Sequence, residues 1–205
     1  MEAHTENGSL STTVNVGKAS CLKRIDTELP GVCVIEPEVF EDSRGGFFET
    51  YHREKFTALG IDAIFVQENQ SVTRKGVLRG LHYQLAHSQA KLCRVVAGEV
   101  FDVAVDIRVG SRNFGRWIGA TLSADNRRQI FIPRGFAHGF IVRSELAEFI
   151  YKCDDLYHPE DERGVIWNDP SLAITWGSHT PQLASRDANY PVLSSIKPDQ
   201  LPRAT

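Results

Sequence analysis

The run Gly76-Val77-Leu78-Arg79-Gly80-Leu81-His82-Tyr83-Gln84 is β-prone and punctuated by glycine, and it carries a guanidinium and an imidazole. Lys91 follows nine residues after His82. Two later runs set a polar group among aromatics: Phe136-Ala137-His138-Gly139-Phe140 and Phe149-Ile150-Tyr151. Histidine, with an ordinary pKa near 6.5, serves as a general base at neutral pH, and tyrosine, near 10, stays protonated and serves as an acid. A lysine beside them stabilises an oxyanion, and loss of one such donor costs about 3 to 4 kcal/mol. Base, acid and cation in one cavity can remove a proton next to a ketone, hold the enolate and return the proton. Each residue also has a plain structural reading: Tyr151 as a packed aromatic, His82 as a satisfied buried histidine, Lys91 as a solvated charge.

The elements that would bring these groups together are mostly strands. From Ile64 onward, β-type runs recur at 64–69, 77–84, 91–96, 99–108, 116–122, 129–133, 136–142 and 146–153, separated by turn residues such as Lys75-Gly76, Gly98, Gly110-Ser111 and Asp125-Asn126. Short strands at a spacing of roughly 8–12 residues point to a sandwich or barrel. An earlier strand is expected over 31–35 and a single helix over 53–59, stopped by Gly60. Alternation puts Asp102, Asp106 and Arg108 opposite the apolar odd positions of 101–107, His138 with Phe136 and Phe140, and Tyr151 with Ala147 and Phe149. The faces bearing those aromatics are expected to point inward. Strict alternation would separate Arg79 from His82, so a bulge at Gly80 is expected to re-aim one of them.

Residues 1–20 are polar, without a hydrophobic period, and read as a flexible N-terminal tail; 21–205 read as a single domain whose turn-rich C-terminal segment, from Asp154 on, wraps the barrel. At 205 residues, with 41% hydrophobic and 24% charged side chains, the composition is that of a globular protein with a sizeable core. A net charge of −3 excludes an electrostatic footprint for nucleic acid or an anionic membrane. No apolar run approaches the roughly 18 residues of a membrane span, and no secretory signal precedes the domain, so a cytoplasmic location is expected. Cys21, Cys33, Cys93 and Cys153 form no C-x-x-C pair and read as free thiols.

Pro133-Arg134-Gly135-Phe136-Ala137-His138 has the P-x-G-x-x-H spacing of the second cupin motif. Metal-binding cupins also need an earlier H-x-H, and here the counterpart is His82-Tyr83-Gln84, with one imidazole instead of two. That ligand count points to a site with no metal and no cofactor. The expected fold is therefore all-β, mainly, as a cupin-type double-sheet jelly-roll barrel with few short helices.

The runs Phe40-Glu41-Asp42-Ser43-Arg44-Gly45-Gly46-Phe47-Phe48-Glu49, Val77 to Gln84, Gly98 to Arg108, Ile132 to Phe140 and Glu148-Phe149-Ile150-Tyr151-Lys152 closely resemble the dTDP-4-dehydrorhamnose 3,5-epimerase family, from about Leu22 to Pro191. The resemblance implies epimerisation of dTDP-4-dehydro-6-deoxy-D-glucose at C3 and C5 to dTDP-4-dehydro-L-rhamnose, within dTDP-L-rhamnose biosynthesis, by a homodimer. It implies that His82 is the base, Tyr151 the acid on the opposite sugar face, Asp187 the carboxylate paired with the histidine, and Lys91 the group at the enolate oxygen. It further implies substrate contacts from Arg44 and Arg79 to the diphosphate, from Phe47, Glu49, Gln67, Asn69, His138 and Glu162, and from Tyr157 stacked on thymine. Arg186 stands where some members have lysine. A single-centre 3- or 5-epimerase of a deoxysugar pathway shares this machinery, and a metal-dependent cupin or a non-catalytic sugar-nucleotide binder are the readings from other classes.

Overall fold

The computed structural model describes residues 11–14 and 21–204. Its first strands are β1 (Ser11–Val14), β2 (Leu22–Asp26) and β3 (Cys33–Pro37), followed by a small hairpin of β4 (Phe40–Asp42) and β5 (Gly45–Phe47) and by helix α1 (Arg53–Ala58). Then come β6 (Gln67–Arg74), β7 (Leu78–Gln84), β8 (Lys91–Ala97), β9 (Glu99–Asp106), β10 (Trp117–Ser123), β11 (Gln129–Ile132), β12 (Phe136–Val142), β13 (Leu146–Cys153) and β14 (Glu162–Gly164). Among the described residues none forms a helix long and apolar enough to cross a membrane.

The strands assemble into two antiparallel sheets: seven strands in the order β1-β2-β3-β11-β8-β13-β6, and five in the order β10-β9-β12-β7-β14. The double-sheet, mainly β fold expected from the spacing is thus present. The expected strand over 31–35 lies at Cys33–Pro37 and the run over 99–108 stops at Asp106; two further differences are larger. β6 runs over Gln67–Arg74 instead of 64–69 because every residue of it has a partner along β13, from Cys153 opposite Gln67 to Leu146 opposite Arg74. The N-terminal 20 residues are not uniformly a tail either: Ser11–Val14, with two β-branched threonines and a valine, extend the larger sheet by pairing with Leu22–Ile25. The rest of the expected tail, residues 1–10 and 15–20, lies outside the described residues.

The buried apolar side chains described form three clusters, of which two bear on the cavity and the third packs Phe56 and Leu59 of α1 and its C-cap against Leu22, Ile35 and Leu92 of the larger sheet. Between the sheets lie Val95, Val100, Leu122, Ile130, Phe136, Phe140 and Phe149, with Phe140 and Phe149 stacked at 4.2 Å. Outside the five-stranded sheet, Val103, Val105, Ile107, Ala137 and Ile141 pack against Val165, Leu172, Trp176, Leu193 and Leu201 of the C-terminal segment, which wraps the sheet as expected. Both faces of β12 are therefore covered, which is why every one of its residues is buried. The apolar odd positions of β9 face this wrap, and the even side, with Asp102 and Ala104, faces the interior.

The pairing of β12 with β7 joins His138 to His82 and then Phe140 to Arg79, so β7 carries one residue more than β12 over this interval. That is a bulge at Gly80-Leu81, at the place the sequence indicated. Gly80 sits at φ +125°, and a Cβ there would meet Gly139 Cα at 2.6 Å and His138 O at 2.8 Å. At Gly139 a Cβ would meet Arg79 O at 2.7 Å. Two glycines thus let the strands close over the bulge that sets the spacing of Arg79, His82 and His138. Gly139→Ala is expected to lower unfolding free energy by about 1 to 3 kcal/mol, the usual cost of overpacking, read as a lower urea midpoint; an unchanged midpoint would show that this approach carries no constraint.

Candidate active site

Where the stacked aromatics between the sheets give way to polar side chains, a cavity of about 370 Å³ opens. The five-stranded sheet supplies one wall: Arg79, His82 and Gln84 from β7, His138 from β12 and Glu162 from β14. The seven-stranded sheet supplies the other: Gln67, Asn69 and Ser71 from alternate positions of β6, Lys91 from β8, and Phe149 and Tyr151 from β13. Period-two alternation explains why each strand sends several polar groups to the same side. Arg79 Nε donates to Thr73 Oγ1 at 3.2 Å, tying the two walls together.

His82 is oriented by a carboxylate far along the chain. Its Nε2 lies 2.9 Å from Asp187 Oδ1, and Asp187 Oδ2 accepts from the Gly80 N–H at 3.2 Å. With Nε2–H donated to Asp187, Nδ1 is the nitrogen free to take a proton; Glu162 Oε1 lies 3.9 Å from it. Burial by itself would raise the Asp187 carboxyl. The His82 hydrogen bond and charge, the Gly80 N–H and Arg186 outweigh it and hold the group below the usual carboxylate range. Tyr190 closes the remaining side, its ring edge-on to the imidazole at 5.8 Å.

On the opposite wall, burial, with lesser contributions from Cys153, Cys93 and Glu162, pushes the Tyr151 phenol up to about 12 against the opposing pull of Arg79. It remains a proton donor throughout the neutral range. Lys91 adds a cation on the same wall. His82 and Tyr151 thus project from opposing sheets into one space, with Lys91 beside them: a geometry suited to removing a proton from one face of a flat intermediate and delivering one to the other.

A second imidazole stands next to the first. His138, the cross-strand partner of His82, places Nε2 3.0 and 2.9 Å from the two oxygens of Asp102, which is fully buried. At the rim, Tyr157 OH donates to Glu162 Oε2 at 2.6 Å, Arg186 pairs with the same carboxylate, and the Tyr157 N–H donates to Gln67 Oε1 at 2.9 Å. Tyr157 is itself half exposed at the mouth.

Of the residues singled out from sequence, Gln67, Asn69, Arg79, His82, Lys91, His138, Tyr151, Tyr157, Glu162 and Arg186 line this one cavity, and Asp187 backs it through His82. Arg44, Phe47 and Glu49 do not join it within the chain. β4 and β5 pair only with each other, Arg44 is turned to Asp42, Phe47 is 72% exposed, and Glu49 pairs with Lys55 at 2.9 Å. Asp102, Ser71 and Tyr190 were not anticipated. Asp102 had a signal, as a carboxylate on a strand otherwise apolar enough to be buried on both faces; Tyr190 had none, because only the folded wrap brings it to His82.

The family model described as dTDP-4-dehydrorhamnose 3,5-epimerase matches residues 26–195. The chain is 57% identical over 161 residues to a dTDP-4-dehydrorhamnose 3,5-epimerase of Neisseria gonorrhoeae, covering 78% of this chain and about half, 49%, of that longer relative. It is 53% identical over 167 residues to the enzyme of the same description from Shigella flexneri, covering 80% of this chain and 92% of the relative. Among solved structures, dTDP-6-deoxy-D-glucose-3,5-epimerase from Legionella pneumophila, in complex with dTDP-4-keto-L-rhamnose, superposes with a TM-score of 0.87 at 49% identity, covering 90% of this chain and 99% of that one.

Because the folded Asp187 carboxyl is held below its unfolded value near 3.9, its contribution to stability is present above that value and lost as pH falls through the folded one. Asp187→Asn is therefore expected to be less stable than the parent chain at neutral pH, with the difference shrinking on acidification below about pH 4. Turnover should fall by about 10² to 10⁴, the range for losing positioned acid–base catalysis. Denaturant melts and initial rates across pH check both; a stability gap that is constant with pH would break the assignment of the pair.

Proposed function

The chain belongs to the dTDP-4-dehydrorhamnose 3,5-epimerase family and is an isomerase acting on a dTDP-sugar; from that premise we propose how its residues divide the reaction. The carrying observation is that His82 and Tyr151 enter one cavity from opposing sheets. His82 Nδ1 takes the proton from the carbon next to the C4 ketone of dTDP-4-dehydro-6-deoxy-D-glucose, while Asp187 holds the ring and offsets the charge of the imidazolium. Electrons from the broken C–H bond move into the ketone, and Lys91 stabilises the enolate oxygen. Tyr151 returns a proton from the other face, and the carbon leaves with inverted configuration. Proton exchange with solvent returns the imidazolium and the phenolate to their starting forms, and the same cycle at C3 and at C5, both flanking the ketone, converts the substrate to dTDP-4-dehydro-L-rhamnose without a redox step.

Arg79, with its permanent charge, is suited to the diphosphate, and Tyr157, half exposed at the mouth, is suited to stacking on thymine. Glu162, held by Tyr157 and Arg186, frames the channel between base and sugar. We further propose that the protein works as a cytoplasmic homodimer in which the hairpin Phe40–Phe47 of one protomer reaches its partner's cavity. The exposure of Phe40 and Phe47, at 46% and 72%, and the exposed Arg44 side chain support this, since a hairpin presenting aromatics and a guanidinium to water has much to gain from a partner.

In D₂O, turnover followed by NMR is expected to place deuterium at both C3 and C5, and His82→Ala to abolish exchange at both while dTDP binding persists. Label at one carbon alone would make the enzyme a single-centre epimerase. Mixing separately inactive Arg44→Ala and His82→Ala proteins under subunit exchange should restore activity, because some mixed dimers contain one site with neither change. No recovery would place Arg44 in its own protomer's chemistry or outside the reaction.

A further inference from the structure

Below the cavity floor lies a group of side chains that the epimerisation leaves unused in part. Cys93 Sγ is 3.9 Å from His138 Nε2, which in turn is 2.9 Å from Asp102 Oδ2. The sulfur, nitrogen and oxygen all lie within 4.8 Å of one another, and all three residues are buried. Cys93 comes from β8 of the larger sheet, Asp102 and His138 from β9 and β12 of the smaller one, so the triangle bridges the two walls. We propose that Cys93, Asp102 and His138 form a binding site for a thiophilic divalent cation of the Zn²⁺ or Cd²⁺ class, and that its occupancy switches the epimerase off.

The size of the triangle carries this. A tetrahedral zinc with bonds of about 2.3 Å to sulfur and about 2.0–2.1 Å to nitrogen and oxygen separates N from O by about 3.3 Å and N from S by about 3.6 Å. The distances of 2.9 and 3.9 Å each differ from those edges by a few tenths of an ångström. Charge fits as well: a thiolate, a carboxylate and a neutral imidazole around a divalent ion sum to zero, which a buried position favours. On binding, the thiol releases its proton and the imidazole moves its own from Nε2 to Nδ1. The mixed set, with one sulfur and one imidazole, selects softer ions over Mg²⁺ or Ca²⁺. Three protein ligands leave a fourth position, and His138 lines the cavity, so an ion can enter from there.

The functional consequence follows from two neighbours. His138 lines the substrate cavity beside His82, and an ion on its Nε2, by moving the ring proton to Nδ1, changes what this ring can offer a substrate. Cys93 is the direct cross-strand partner of Tyr151, so the ion's charge falls next to the phenol that must donate a proton. A second cluster, His87, Asp155 and His158, has comparable spacing. Its imidazoles are stacked nearly parallel at 3.7 Å, so their lone pairs do not converge on one ion.

The inference goes beyond the proposed epimerisation, which proceeds without the ion, and the two fail separately. CdCl₂ titrated into the purified full chain is expected to give one equivalent with a thiolate-to-cadmium charge-transfer band in the ultraviolet, together with loss of epimerase activity that a chelator reverses. Cys93→Val should keep its basal activity, lose the band and bind Cd²⁺ and Zn²⁺ more weakly by at least about tenfold, since changes even in the outer shell of a metal site cost 10–100-fold. Cys93→Ser serves the same purpose if valine disturbs the core, and Cys21→Ser and Cys153→Ala should keep the band. A band that survives loss of Cys93, or inhibition equal in the parent and the Cys93 variants, overturns the proposal.

Discussion

Two sheets packed face to face, usually about 10 Å apart, set His82 and Tyr151 on opposite walls of one cavity, and this spacing is the constraint on which the proposed chemistry depends. Inverting a carbon requires that the proton leave from one face and arrive on the other, so acid and base must stand on opposite sides of the sugar. A sandwich meets that need without moving parts. β7 carries His82 on one wall and β13 carries Tyr151 on the other. The aromatic stack of Phe140 and Phe149 fills the interior up to the point where the cavity begins. The same hydrophobic burial that joins the sheets therefore also sets the separation of the His82 and Tyr151 walls.

The polar groups on both walls are held by partners that offset the cost of burying them. His82 leans on Asp187, His138 on Asp102, and Glu162 on Tyr157 and Arg186. Tyr151 has a different environment: among the influences on its phenol burial ranks first and drives it up to about 12. The two groups meet different surroundings, a carboxylate behind the His82 imidazole and a buried setting around the Tyr151 phenol. Such a division of environments assigns acid and base roles in many enzymes. The fully buried Asp102 is the group least explained by proton transfer alone, and it is also the one that, with Cys93 and His138, makes up the proposed soft-cation site.

Much of this was legible in the chain. The strand spacing led to a sandwich, the alternation around His138 and Tyr151 placed both inside, and a glycine in a β-type run marked the bulge that brings Arg79 and His82 to one cavity. These features are local, since a period of two and a glycine constraint are written in adjacent residues. What escaped local reading depends on distant contacts. Asp187 was assigned through family resemblance, because nothing near it in sequence points to His82. Tyr190 arrives with the C-terminal wrap, and Asp102 was seen as a polar position without a partner. The extent of β6 differs from 64–69 because Ile64 and Val66 look strand-like, whereas pairing with β13 decides where the strand runs. The hairpin bearing Arg44 and Phe47 matched the family in sequence, yet the single chain does not carry it to the cavity.

Inversion depends on the phenol facing the imidazole across the ring, and the most direct test is the fate of the proton in Tyr151→Phe. Incubated with substrate in D₂O and followed by NMR, this variant is expected to exchange the C3 and C5 hydrogens, because His82 still removes and returns them, while retaining the starting configuration at each carbon. Inversion at a rate close to that of the parent enzyme would contradict the account and leave Tyr151 as a packed aromatic.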